Sequence, residues 1–162
     1  MSRREYASRI LTELCSDLGL PAAEMQPDGL LTLAFDDIRV TFRHVTTPLE
    51  TLVLLVDLGE LPADAGQAAA MLLELNLVTW GRNNLTIGLG ADGRQVLGRN
   101  ILPLITLDRT GLREVLEAML ESTVPIREAV ANFTRAARPR TGDEAARQRP
   151  APFPRGPGTL PV

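Results

Sequence analysis

The sequence predicts an α+β fold, one antiparallel sheet with three helices in the order α-β-β-β-α-β-β-α. Three observations predict it. Two segments carry apolar residues at helical spacing, near either end of the chain. Two pairs of segments are joined by short turns, the first pair alternating apolar and polar residues, which makes the strands they form antiparallel. Beyond the first pair, the run from Leu72 to Leu107 passes from an apolar helix straight into a tight hairpin.

The first helix opens with Ser2 and Glu5 at capping-box spacing and carries Tyr6, Ile10, Leu11, Leu14 and Leu18 in one stripe, ending at Gly19 and Pro21. Leu31, Leu33 and Phe35 then alternate with polar or small residues, Asp36-Asp37 turns, and Ile38, Val40 and Phe42 alternate with Arg39, Thr41 and Arg43. This is a hairpin with one wet face. Thr51 to Leu58, TLVLLVDL, lacks alternation and reads as a strand covered on both faces. Asp64 and Gln67 are spaced as N-cap and N3 of a second helix, Asp64 to Thr79, which is apolar almost all round. With Ala69, Leu72 and Asn76 set on the sheet, Leu73 and Leu77 fall on one flank and Leu75 on the other. Leu85 to Leu89 turns at Ala91-Asp92-Gly93 and returns from Gln95 to Leu102, with Pro103 marking an edge or a bend. The last helix starts near Asp108 or Thr110 and places Leu112, Val115, Leu116, Met119, Thr123, Ile126, Val130 and Phe133 on one face, with Pro125 as a kink.

A chain of 162 residues with 44% hydrophobic content supports one compact core, which we assign to residues 1–138. Residues 139–162 hold six of the twelve prolines and few large apolar side chains, the composition of a disordered Arg/Pro-rich tail. From residue 134 onward six arginines face two carboxylates, a balance of +4. The whole chain carries −3, so the remainder carries −7. An acidic body repels phosphate backbones, so nucleic acid is not the expected partner. The first residues lack the apolar stretch of a secretory signal, the apolar runs are too short for membrane insertion, and Cys15 stands alone. A cytoplasmic protein is expected.

No catalytic, cofactor or metal site is expected. Gly88 to Gly93 fits G-x-G-x-x-G, but a dinucleotide site needs a helix opening at the third glycine, and RQVLGRNILP has no helical period. The glycines instead fit a hairpin turn and bulge. His44, the one histidine, sits at the inward end of an alternating strand and cannot supply a multi-histidine metal set. Cys15 falls on or beside the buried stripe, where a thiol packs rather than reacts. Asp36 and Asp37, adjacent on a turn, point apart and solvate it.

Taken together, LVLLVDLGELP, then LLELNLVT running into LTIGLGADGRQVLGRNILPL, then the amphipathic helix after Leu107-Asp108 resemble the Tir chaperone (CesT-type) family of type III secretion chaperones, over about residues 3 to 135. The resemblance implies a twisted antiparallel sheet with three helices and a homodimer formed through the second helix. It also implies a bacterial, ATP-independent chaperone that holds the N-terminal region of a secreted effector in extended form and presents it to the export ATPase. The Arg/Pro tail departs from the compact family pattern.

The residues themselves suggest where each contact would fall. Apolar surplus on the second helix assigns the dimer interface to Ala65, Ala68, Leu72, Leu73, Leu75 and Leu77, the small residues allowing close helix approach. Extended chain binds in apolar grooves or by strand addition at a sheet edge. The first helix (Tyr6, Ile10, Leu14) and first hairpin (Leu33, Phe35, Val40, Phe42) are the expected effector-binding surface. The competing reading is a non-secretory adaptor or regulatory protein on the same fold, binding a folded partner.

Overall fold

The computed structural model describes residues 2–62, 68–83 and 85–137, with the backbone alone at residues 80–83. Its elements are α1 (Arg3–Asp17), β1 (Leu30–Phe35), β2 (Ile38–Val45), β3 (Thr51–Glu60), α2 (Ala68–Asn83), β4 (Thr86–Leu89), β5 (Gln95–Pro103) and α3 (Arg109–Ala137). The strands form one antiparallel sheet in the order β1-β2-β3-β5-β4. The predicted α+β order is therefore the observed one.

Local chemistry sets the boundaries. The Ser2 hydroxyl accepts from the Glu5 N–H at 3.2 Å while the Glu5 carboxylate accepts from the Ser2 N–H at 2.7 Å, closing the capping box of α1. At its far end Gly19 takes φ +66°, and the Leu20 N–H reaches back to the Cys15 carbonyl at 2.9 Å. The β1–β2 turn pivots on Asp36 at φ +52°, a conformation that Asp tolerates better than branched residues. In the β4–β5 hairpin, Gly93 at φ +68° turns the chain, and the Asp92 carboxylate accepts the backbone N–H groups of Arg94 and Gln95, both at 2.9 Å. A second strand follows Gly93, so the G-x-G-x-x-G run is a hairpin turn and opens no helix. Pro103 ends β5 beyond the reach of β4, whose last partner on that side is Arg99.

All three helices lie on one face of the sheet. The core between them is built from Ile10, Leu11 and Leu14 of α1, Val40 and Phe42 of β2, Leu52, Leu54, Val56 and Leu58 of β3, and Leu112, Leu116, Met119, Ile126 and Val130 of α3. The Tyr6 hydroxyl donates to the Leu107 carbonyl at 2.7 Å, tying α1 to the loop before α3. Gly98 lets β5 lie against this core, because a β-carbon there would come within 2.8 Å of Val56 Cγ1 and 3.2 Å of Leu58 and Leu85 side chains. The expected caps Asp64 and Gln67, and the tail from residue 139, lie outside the described residues.

Three expectations need correction. α2 is described from Ala68 to Asn83 and so runs past Thr79. It faces the core with Ala68, Leu72 and Thr79, leaving Ala69 exposed. β3 is covered on one face only: Leu52, Leu54, Val56 and Leu58 are buried, whereas Val53 and Leu55 on the other face are only partly so. No helix of the described chain crosses that second face.

Candidate binding surfaces

Sheet register places the residues of the open face in rows. Arg43, Val53 and Ile101 lie side by side across β2, β3 and β5, and the next row is Thr41, Leu55 and Arg99, continued by Thr86 on β4. The two rows make an apolar trough along β3 and β5, walled by Arg43 on one side and Arg99 on the other, with Leu49 also lining it. Ile101 is 49% exposed and Leu49 69%. Contiguous carbon surface of this kind, left bare on a sheet face, marks a binding site.

A second bare surface lies on α2. Leu73, Leu77 and Val78 are 70%, 79% and 62% exposed, while Leu75 and Val78 border a cleft against Ala118, Pro125 and Ile126 of α3. Leu73 and Leu77 thus occupy one flank and Leu75 the other, as helical spacing implies. Of the remaining expected interface residues, Ala68 and Leu72 are buried within the protomer, and Ala65 lies outside the described residues.

The sheet edges differ. Asn76 of α2 accepts the Ile87 N–H at 2.6 Å and donates to the Ile87 carbonyl at 2.7 Å, so one side chain occupies both outward backbone groups of that β4 residue. Thr79 reinforces it, donating to the Leu85 carbonyl at 3.0 Å. That edge is closed to strand addition there. On β1 the Leu30 carbonyl and N–H are taken by the Gln26 N–H and the Asp28 carboxylate. The two-residue period then turns the backbone groups of Thr32 and Ala34 outward, where among the described residues no partner meets them.

Five of the residues expected to bind an effector are core. Ile10, Leu14, Leu33, Val40 and Phe42 are at most 6% exposed, so they form the floor of the protomer and offer no surface. An apolar stripe is claimed first by its own fold, because intramolecular burial carries no association entropy. Tyr6 and Phe35 are partly buried at its margin. The trough residues Val53 and Leu55 were missed because the run TLVLLVDL shows that both faces avoid water without showing what covers each, and Ile101 because only the sheet register brings β5 beside them. Elsewhere, Cys15 is fully buried and burial pushes its thiol pKa up, the opposite of a reactive cysteine. His44 Nε2 is buried with no hydrogen-bond partner among the described residues. Among the described residues no group of acidic, histidine or cysteine side chains could hold a metal.

A sheet-and-helix scaffold with one bare sheet face, one bare helix flank and an open strand edge defines a protein-binding module. The model of the Tir chaperone protein (CesT) family matches residues 9–127, and the chain belongs to that family. Its fold is similar to that in the crystal structure of the ExsC–ExsE complex, with TM-score 0.68 at 20% identity over 80% of this chain and 97% of that one. Similar too are the HopA1–SchA chaperone–effector complex (TM-score 0.64, 18% identity, 77% of this chain and 95% of that one) and the Yersinia pestis type III secretion chaperone SycH in complex with a stable fragment of YscM2 (0.57, 22%, 74% and 98%). At these identities the likeness is one of fold. No curated protein matches the sequence.

Proposed function

We propose that the protein is a type III secretion chaperone, a cytoplasmic homodimer that binds the N-terminal region of an effector, keeps it soluble and unfolded, and presents it to the export apparatus. The observation that carries this reading is the bare apolar trough of Val53, Leu55 and Ile101 on a family fold. Ordering an unfolded client costs roughly 2–5 kcal/mol or more, so a holding protein needs more apolar contact than one groove supplies. Pairing two protomers through Leu73, Leu77 and Val78 doubles it along one client. The β1 edge at Thr32 and Ala34 suits an extended client stretch, with Tyr6 and Phe35 beside it. A stretch lying on the open face meets backbone groups already paired within the sheet, and so satisfies its own polar groups as a helix. No described helix is long and apolar enough to cross a membrane.

The test is co-expression of the full chain with secreted proteins encoded beside it, followed by purification and partial proteolysis. A co-purifying protein protected only over one segment near its N-terminus is the expected result. A partner protected over an entire folded domain, with no segment ordered by the complex, would show a folded-partner adaptor instead.

A further inference from the structure

The open face carries an electrostatic signature at odds with the rest of the molecule. Arg3, Arg9, Arg94, Arg109, Arg113 and Arg127 are held in ion pairs, and Arg4 and Arg135 donate hydrogen bonds to the Gln26 carbonyl and the Asn132 side chain. The remaining arginines with described side chains, Arg39, Arg43 and Arg99, have no ion pair or hydrogen-bond partner among the described residues, and all three stand on the open face. The residues directly across from Arg43 are Leu30 and Val53 and those across from Arg99 are Leu55 and Thr86, none of them a carboxylate; Asp57, two residues beyond Leu55 on β3, accepts the Gly59 N–H. An acidic body has thus kept two free guanidinium groups flanking its apolar trough.

Their spacing selects a shape. Arg43 on β2 and Arg99 on β5 stand on either side of β3 and one row apart, so strands at roughly 4.8 Å intervals leave a floor about 10 Å wide between them. That width matches the roughly 10–12 Å diameter of an α-helix with its side chains. We infer that the open face receives an acidic amphipathic helix of the client, its apolar stripe seated on Val53, Leu55 and Ile101 and its flanking carboxylates bridged by Arg43 and Arg99. The inference rests on the client-holding reading and adds the chemistry by which this face selects. Guanidinium pairs carboxylate bidentately, and beside desolvated carbon surface the pairing gains strength. The chain's own Arg-rich residues 138–162 carry the wrong charge to fill the trough, with five arginines against Asp143 and Glu144.

The test uses two labelled synthetic peptides of 15 to 20 residues, designed as amphipathic helices with one apolar stripe and flanked by Glu in one and by Lys in the other. Binding to the full chain is followed by fluorescence anisotropy at low and moderate salt. The Glu peptide is expected to bind at least about tenfold more tightly than the Lys peptide, the preference shrinking with salt. Both arginines are exposed and make no ion pair or hydrogen bond among the described residues, so the Arg43→Glu/Arg99→Glu chain should keep its thermal midpoint and reverse the preference. Equal binding of the two peptides, binding of neither, or an unreversed preference in a folded variant overturns the inference. So does loss of self-association in the variant, which would make a second copy the occupant. Co-purification of a natural client through any of these failures would leave the chaperone reading standing and place the client elsewhere.

Discussion

Replacing Leu77 by Asp tests the dimer most sharply, because the structure separates its effect on assembly from its effect on folding. Leu77 is 79% exposed in the protomer, so its side chain contributes little to the protomer's own core. Burying a leucine is worth about 1.5–3 kcal/mol, and nearly four-fifths of that is still available at Leu77. A two-fold interface loses it twice, giving roughly 2–5 kcal/mol, or about 30- to 4,000-fold weaker association before any cost of burying the carboxylate. Light scattering and sedimentation across a concentration series should show a native dimer and a variant monomer. Circular dichroism should show unchanged secondary structure. By contrast Leu72→Ala, at a residue 7% exposed, removes core carbon and should lower stability by about 2–5 kcal/mol. A native protein that is monomeric at all concentrations, or a Leu77→Asp chain that still pairs, would refute the assignment of this flank to a partner copy.

Three further outcomes follow from the geometry. Gly98→Val drives a branched side chain into Val56, Leu58 and Leu85 and should cost about 1–3 kcal/mol or more, read as a lower midpoint in chemical unfolding; an unchanged midpoint would mean the sheet relaxes there freely. Asn76→Leu leaves the Ile87 N–H and carbonyl without partners, so stability should fall by about 1–3 kcal/mol and aggregation should rise as the β4 edge opens; a soluble, equally stable variant would contradict the edge-closing role. Cys15 should resist alkylation in the native chain and react on unfolding. Its folded pKa is raised above 9.0, so the folded state holds the proton longer, and stability should be intact below pH 9 and decline above it; fast native labelling would place the thiol at the surface.

How far the sequence could be read depended on whether a residue's partner lay nearby along the chain. Ser2 and Glu5 mark the start of α1 because capping is a three-residue affair, and the alternation around Asp36-Asp37 and the turn residues Ala91-Asp92-Gly93 mark the two hairpins for the same reason. The helical spacing of Leu112, Leu116, Met119, Ile126 and Val130 likewise gave the inner face of α3. Surface against core was harder. Tyr6, Ile10, Leu14, Leu33, Val40 and Phe42 carry the apolarity of a binding groove and of a core alike, and only the packing of α1 and α3 over the sheet decides between them. Val53 and Leu55 failed in the opposite sense, since an apolar strand facing no helix is indistinguishable in sequence from one between two layers. The Arg39-Thr41-Arg43 alternation was visible, but nothing in sequence brings Arg99 beside it; a register across three strands does.

The central claim is that the protein holds a client segment unfolded off the chaperone. Hydrogen exchange mass spectrometry on a co-purified client, measured free and in complex with the full chain, tests it most directly. The account predicts one bounded segment near the client's N-terminus that exchanges at unfolded rates when free and becomes protected on binding, with protection elsewhere unchanged. A client whose bound segment is already protected in the free state, within a folded domain recognised as it stands, would contradict it.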